Sequence, residues 1–581
     1  MAVAKGSKTS TLANELAAKS RVATSMEGSM SENRFDSAAH ARSMRDQGFW
    51  VDRSFDEFLQ LTISTSPEKL ALIADRADRA EPRRFTYAEL GDLISRTAAA
   101  LRRLGIGPRD VISVQLPNWW EFAVISLAAF RVGAIVNPLM PIFREHELSY
   151  MLEFAETKLL IVPKLFRGFD HEDMARSLQP KLPKLQHVIV VDGEGASSFD
   201  QAFLSGNERL GPPAVGEIGA LPTDQMAVLM FTSGTTGSPK GVMHCLNSLM
   251  ACSIALGGRF HLGASDTMLV CSPLGHMTGF AAGMLLGLKI GATVVFQDVW
   301  EPKRGVAIMA NEGVTYSAGA ATFLADMCEA VASGSPKPGR LRNFLCAGAP
   351  IPPALIDRVY RELDLKVCSL WGMTESLSST LTEPERALEK SSKTDGRPLE
   401  GVAVKVIRMD GSPAAVGEKG LLKVRGAQMC LGYYKREDME PFDAEGWFDT
   451  GDMAYMDDEG YIRIDGRIKD IIIRGGENVP VFDIENLMFK HPAVLSTAIV
   501  GYPDPRLGER ACAFVVLRPG QTLDLAAVQA LMAEHKVAKQ YWPERVEIVA
   551  DLPKAPAGKI QKYQLREIAK AFAETPRAAN G

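Results

Sequence analysis

Residues 231–242, FTSGTTGSPKGV, constrain this chain more than any other stretch. An apolar run over 226–231 leads into them and reads as a short buried strand. A longer, mostly apolar stretch follows, compatible with a helix. Between the two, Gly and Thr/Ser residues let successive backbone N–H groups converge, and such a nest binds anions. The hydroxyls and the Lys240 ammonium add donors that can follow a phosphate as its charge shifts. The spacing differs from the common P-loop, which needs Gly, four residues and then Gly-Lys-Ser/Thr. Counted from Gly234, that place holds Pro239, and Gly241 comes after the lysine. A flexible linker is also rich in Gly and Ser. The strand ahead, the lysine inside and the motifs downstream favour a phosphate cradle.

At 581 residues the chain is too long for one hydrophobic core. Its net charge of −5, with no basic stripe, gives no footing for a nucleic-acid partner. Eight scattered cysteines without a Cys-x-x-Cys pair read as reduced core residues, not as metal ligands or disulfides. No apolar run is long enough to span a bilayer, so no transmembrane segment is expected. The first residues lack the apolar core of a signal peptide, and the expected location is the cytoplasm.

Residues 1–40 are polar and aperiodic, which predicts a disordered tail. Residues 85–90 open a helix whose apolar positions Leu93, Ile94, Ala98, Leu101 and Leu104 recur at helical spacing. A strand over 111–116, a helix over 119–132 and a strand over 134–136 follow, and a second alternating region runs from 159 to about 379. Such β-α-β alternation predicts two parallel-type α/β subdomains, their sheets covered by helices. Trp119 and Trp120 are expected to pack the start of a helix. Short Val/Ile strands broken by Gly turns over 402–425 predict a small β-rich subdomain. The last ~110 residues mix strands with amphipathic helices and have the size of one small α+β domain.

Five further stretches carry chemistry. CSPLGHMTGF, residues 271–280, confines His276 between Pro273 and Gly279. LWGMTE, residues 370–375, ends a strand in an aromatic, a glycine, a hydroxyl and a carboxylate. Asp452, Arg467 and Lys559 each stand in a glycine-punctuated run. With 231–242, these residues resemble the signature of the adenylate-forming superfamily: acyl-CoA synthetases, adenylation domains of peptide synthetases and firefly-type luciferases. The resemblance runs from about Phe49 to the end of the chain. It is strongest with fatty-acyl and alicyclic acyl-CoA synthetases, cyclohexanecarboxylate–CoA ligases above all.

The resemblance implies a set of roles and a domain plan. An AMP-binding domain over 41–468, its small subdomain β-barrel-like, would precede a mobile C-terminal domain over 469–581. Thr232, Ser233, Gly234, Thr235, Thr236, Gly237 and Lys240 would hold ATP phosphates. Gly348, Ala349, Pro350, Trp371, Gly372 and Met373 would border adenine, and Thr374 the α-phosphate. Asp452 and Arg467 would bind ribose, and Glu375 with Thr232 would hold Mg²⁺. His276, Phe280, Ala318, Gly319 and Gly372 would line the acyl pocket; glycine at 372, where acetate-specific relatives carry a bulky Trp, implies an acyl group larger than acetyl. Lys559, with Thr232, Glu375 and His276, would carry the adenylation chemistry. Lys469 would be the hinge, and Gly475 and Gly476 would meet coenzyme A. The implied reaction is ATP-dependent ligation of a medium-chain or alicyclic acid to CoA through an acyl adenylate. Transfer to a carrier protein and aryl-CoA ligation are the alternatives. Lys559, on a loop after glycine, is also a candidate for a lysine acetyltransferase and deacetylase, since acetylation would remove its charge.

Overall fold

The computed structural model describes residues 35–211, 222–232, 239–348, 351–467, 472–474, 477–554 and 560–574. Two large sheets dominate it. The first has nine strands and runs from Arg397–Pro398 through Leu377–Leu381, Lys366–Met373, Asn343–Cys346, Tyr316–Gly319, Thr267–Val270, Thr293–Gln297 and Leu70–Asp75 to Arg83–Thr86. The second has seven, in the order Gly432–Tyr433, Lys240–Cys245, Met226–Thr232, Ile135–Pro138, Val111–Val114, Leu159–Pro163, His187–Val191. Both are parallel inside and antiparallel at a flank, as the β-α-β alternation predicts.

Local sequence explains the helices between them. Thr86 and Glu89 close a capping box on helix Tyr87–Arg103, a device that stabilises a helix start by about 1 kcal/mol. Helix Trp120–Val132, apolar except at Glu121, Ser126 and Arg131, is buried along its whole length. It touches both large sheets. Its one arginine, Arg131, makes a bidentate pair with Asp56 inside the core. Trp119 caps this helix while Arg76 stacks 3.6 Å over its ring, so both tryptophans serve packing. All eight cysteines are buried and free, the reduced core residues that their scatter implied.

The small β-rich subdomain is a four-stranded antiparallel sheet, Val402–Ile407, Gly420–Gly426, Phe448–Met456 and Ile462–Arg467. The C-terminal unit is α+β. Its sheet joins Glu477–Val479, Ile472–Arg474, Gly508–Leu517 and Val494–Asp504, with Arg545–Ile548 parallel to Gly508–Leu517. Helices Val481–Phe489 and Leu525–Glu534 share one apolar cluster of this sheet, and Lys562–Lys570 belongs to another. Asp483, on the first of these helices, lies within electrostatic reach of Lys419, Asp465 and Arg463, which belong to the β-rich sheet. Among the described residues no helix is long and apolar enough to cross a membrane.

Two expectations need correction. The apolar stretch after residue 239 is first a strand, Lys240–Cys245, and only then a helix, Leu246–Arg259. The strand forms because residues 240–245 pair antiparallel with Met226–Thr232. The tail assigned to 1–40 also ends earlier. Residues 1–34 lie outside the described residues, but Asp36 caps a helix at Ser37–Asp46. Phe35 packs 4.8 Å from Phe442, and Trp50 donates its indole N–H to the Ala427 carbonyl at 2.9 Å. Two widely spaced aromatics, Phe35 and Trp50, invisible as a periodic pattern, tie this segment to the β-rich subdomain.

Candidate active site

Strands Met226–Thr232 and Lys240–Cys245 form a hairpin in which Thr232 pairs with Lys240. That pairing draws together the two ends of residues 233–238. Ser233, Gly234, Thr235, Thr236 and Gly237 lie outside the described residues, and the two residues that close their loop do not. The outer neighbour of the hairpin is Gly432–Tyr433, with Val242 opposite Tyr433 and Met243 opposite Gly432. Gly432 has φ +123°, a backbone that residues with a side chain rarely adopt. The segment is held on both sides. Leu431 and Tyr434 donate to the Met243 and Gly241 carbonyls at 2.8 Å each, and Cys430 donates to the Glu375 carbonyl at 2.7 Å.

This register puts the Tyr433 side chain between two charged groups. Its hydroxyl donates to Glu375 Oε1 at 2.9 Å, and Lys240 Nζ sits 4.8 Å from its ring centroid. Burial, and then the Glu375 charge, push the phenol far above its ordinary value, so it stays a proton donor. Glu375 itself is buried. The turn that carries it is anchored from beneath by His244, whose Nε2 donates to the Thr374 carbonyl at 2.7 Å. Nδ1 of the same ring lies 3.0 Å from Ser248 Oγ, and burial lowers this imidazole to about 4. A fully buried neutral histidine in this position is a structural tie.

Farther along the same strand, Trp371 donates its indole N–H to Asp452 Oδ2 at 2.9 Å. Asp452 Oδ1 accepts from Arg467 Nε, also at 2.9 Å. Asp452 and Arg467 face each other across adjacent strands of the β-rich sheet, so their pairing is set by register. Trp371 is buried among Leu422, Val424, Met429 and Phe448. Both Asp452 oxygens therefore already accept a bond, and each keeps a second lone pair for an incoming hydroxyl.

The acyl-pocket candidates gather at neighbouring ends of parallel strands, the place where open α/β sheets bind ligands. Ala318 pairs with Leu345 and Gly319 with Cys346, while Cys346 pairs with Ser369 on the strand that carries Trp371. The Ala347 N–H reaches the Gly319 carbonyl at 3.1 Å, next to Gly348. Ser272 Oγ donates to the Ala318 carbonyl. His276 caps the short helix Met277–Gly279 by accepting from the Thr278 N–H at 3.2 Å. Phe280 is wholly buried, 6.2 Å from Phe122, and packs in the core.

Gly372 has a reason of its own. A Cβ at this position would lie 2.0 Å from the Leu377 carbonyl oxygen, where strands Lys366–Met373 and Leu377–Leu381 slip register. Glycine is required by backbone crowding, so its presence alone no longer measures the width of a pocket.

Met373 ends its strand half-buried against the apolar cluster of the β-rich sheet. Ala349, Pro350, Lys469, Gly475, Gly476 and Lys559 lie outside the described residues. Lys554 and Ile560, the described residues on either side of 555–559, form an antiparallel bridge. Tyr433 escaped the sequence reading. Its only signal was a glycine followed by two tyrosines, and the partner that gives it meaning is 58 residues away.

Comparison with known proteins agrees with this geometry. Residues 59–434 match the family model of the AMP-binding enzymes, and 483–559 match that of the AMP-binding enzyme C-terminal domain. The medium-chain fatty-acid–CoA ligase of Escherichia coli K12 is 34% identical over 90% of this chain and 92% of its own. The salicyl-AMP ligase / salicyl-S-ArCP synthetase of Mycobacterium tuberculosis is likewise 34% identical, with 90% and 92% covered. Among solved structures, ATP-bound MatB from Rhodopseudomonas palustris superposes with a TM-score of 0.79 at 26% identity, over 90% of this chain and all of that one. A family model spanning most of the chain, relatives this similar over nearly their full lengths and the shared fold leave one conclusion: the chain belongs to the AMP-binding enzyme family and is an adenylate-forming acyl-CoA synthetase.

Proposed function

We propose that this enzyme ligates an apolar acid of moderate size to CoA, a medium-chain fatty acid or an alicyclic acid, with cyclohexanecarboxylate the first to test. The single observation that carries the nucleotide end of this reading is one strand and its turn, residues 366–375. It joins Glu375, tied through Tyr433 to Lys240, with Trp371, tied through Asp452 to Arg467. One end suits a polyphosphate and the other a ribose. The acid end rests on the small residues Ala318 and Gly319 and on the name of the Escherichia coli relative.

A carboxylate is a poor electrophile, so activation comes first. The substrate carboxylate attacks the α-phosphorus of ATP, forming the acyl–phosphate bond and releasing pyrophosphate. Such transfer depends on positioning and charge neutralisation. Lys240 and the loop after Thr232 hold the β- and γ-phosphates, Thr374 lies by the α-phosphate, and Asp452 accepts the ribose hydroxyls. Glu375 and Thr232 fit Mg²⁺, which prefers one or two carboxylates with phosphate oxygens and water over a protein cage. Among the described residues no cluster of three His, Cys, Asp or Glu offers such a cage. When bound, the ion neutralises developing charge on phosphate oxygens. Lys559 bridges carboxylate and phosphate oxygens from the C-terminal unit. A rotation about Lys469 then withdraws Lys559 and brings Gly475 and Gly476 to the site. The CoA thiol attacks the acyl carbonyl and AMP leaves.

Pyrophosphate exchange with a panel of acids tests adenylation and ranks substrates together. Adding CoA or a carrier protein to the preformed adenylate separates ligation to CoA from carrier loading, the reading favoured by the Mycobacterium tuberculosis relative. In Lys559→Ala, exchange should fall by roughly 100-fold or more, while thioester formation from supplied acyl adenylate persists. Equal loss of both would overturn the assignment of Lys559 to the first step.

A further inference from the structure

We propose that Tyr433 is a positioning residue for adenylation: its hydroxyl aims the Glu375 carboxylate while its ring seats the Lys240 ammonium, fixing the gap that a metal-bound triphosphate must bridge. The inference rests on the reading of Glu375 as a metal ligand and Lys240 as a phosphate ligand. Three observations carry it.

The first is geometry. One side chain contacts both charged groups, at 2.9 Å from Glu375 Oε1 and 4.8 Å from Lys240 Nζ. The second is backbone. The short strand that bears Tyr433 is bonded to Met243 and Gly241 on one side, and Cys430 just ahead of it to the Glu375 carbonyl on the other. Tyr433 is thus held against both the hairpin and the glutamate turn. The third is chemistry. A tyrosine hydroxyl donates to a carboxylate without bringing a charge of its own, whereas an Arg or Lys in the same place would compete with a bound cation. A residue that orients a metal ligand through a hydrogen bond commonly affects metal affinity by 10- to 100-fold (roughly) when removed.

Three variants divide the two contacts. Tyr433→Phe keeps the ring and removes the hydroxyl. Tyr433→Leu removes both, and Lys240→Met removes the cation and leaves the tyrosine. The readout is calorimetric binding of β,γ-methylene-ATP with and without Mg²⁺, beside thermal unfolding of each protein.

In Tyr433→Phe, affinity with Mg²⁺ should fall about tenfold while metal-free affinity and the unfolding midpoint stay as in the unaltered protein. Tyr433→Leu should lose metal-free affinity as well, matching Lys240→Met in that condition. If Tyr433→Leu fails to fold, Tyr433→Phe and Lys240→Met still test each half. Unchanged Mg²⁺-dependent binding in Tyr433→Phe, or equal loss with and without the metal, would overturn the proposal. Glu375→Gln separates this from the reading beneath it. If that variant keeps full Mg²⁺ dependence, the metal role of Glu375 fails; if it loses the dependence and Tyr433→Phe does not, only the role of Tyr433 fails.

Discussion

Glu375 and Asp452 stand at opposite ends of the proposed nucleotide site and are held in opposite ways. Asp452 meets a cation, Arg467, and a neutral indole, and both of its oxygens are engaged. Glu375 Oε1 meets a neutral phenol. A carboxylate paired with a guanidinium has little net charge left to offer and suits uncharged hydroxyls. One oriented by a neutral donor keeps its full charge and suits a cation. Two buried carboxylates in one site are therefore prepared for different ligands by their partners, before any ligand arrives.

The comparison breaks most readily at the paired end. Asp452→Ala leaves Arg467 and the Trp371 N–H without their acceptor, and breaking a buried ion pair of this kind costs about 3 kcal/mol. Arg467 is 30% exposed, which makes that figure an upper value. Glu375→Gln keeps an acceptor for the Tyr433 hydroxyl, and its unfolding free energy should stay within about 1 kcal/mol of the unaltered protein. Denaturant unfolding of the two variants checks the contrast. Equal destabilisation would mean that partner chemistry does not distinguish the two carboxylates.

A smaller effect is expected at Gly372, between the two ends. A side chain there meets the Leu377 carbonyl, so Gly372→Ala must shift one strand against the other. Overpacking of this kind costs about 1–3 kcal/mol. The strand carries both Trp371 and the turn to Glu375, so adenylation should weaken by a similar factor for small and large acids. A selective loss of large acids, with stability intact, would restore the pocket-width explanation of this glycine.

Much of this was legible in the sequence, for particular reasons. The strand before the glycine-rich stretch was read from its apolar run, and Trp371, Thr374, Glu375, Asp452 and Arg467 lie in short contiguous motifs that carry the resemblance to the family. The parallel sheets were legible because their apolar runs alternate with helical periodicity. What the sequence hid was cross-strand. The pairing of Thr232 with Lys240 makes residues 240–245 a strand although their apolar character is equally helical. The contact of Tyr433 with Glu375, and the need for glycine at 372, come from chains brought together by register. The helix at Ser37–Asp46 was obscured by polar composition, and tertiary contacts from Phe35 and Trp50 override it.

The smallest expected effect follows from how the glutamate end is tied down. His244 is held neutral by burial, with its pKa lowered to about 4, while in the unfolded chain it returns to the ordinary value near 6.5. Between these two values the unfolded chain binds a proton that the folded chain does not, so stability falls as pH drops from 6.5 toward 4 and is fully present above 6.5. One unit of acidification, from pH 6.5 to 5.5, should cost about 1 kcal/mol through this group. His171, lowered to about 4 by burial against the same seven-stranded sheet, and His40, also lowered by burial, act in the same direction, whereas Glu121, raised to about 8 by burial, holds a proton across this window that the unfolded chain lacks and opposes them. His244→Gln keeps an N–H for the Thr374 carbonyl and removes this one titration. Between pH 6.5 and 5.5 its unfolding free energy should fall by about 1 kcal/mol less than that of the unaltered protein. An unchanged slope would show that the imidazole beneath the Glu375 turn is not excluded from protonation, and that this end of the site is more open to water than its burial implies.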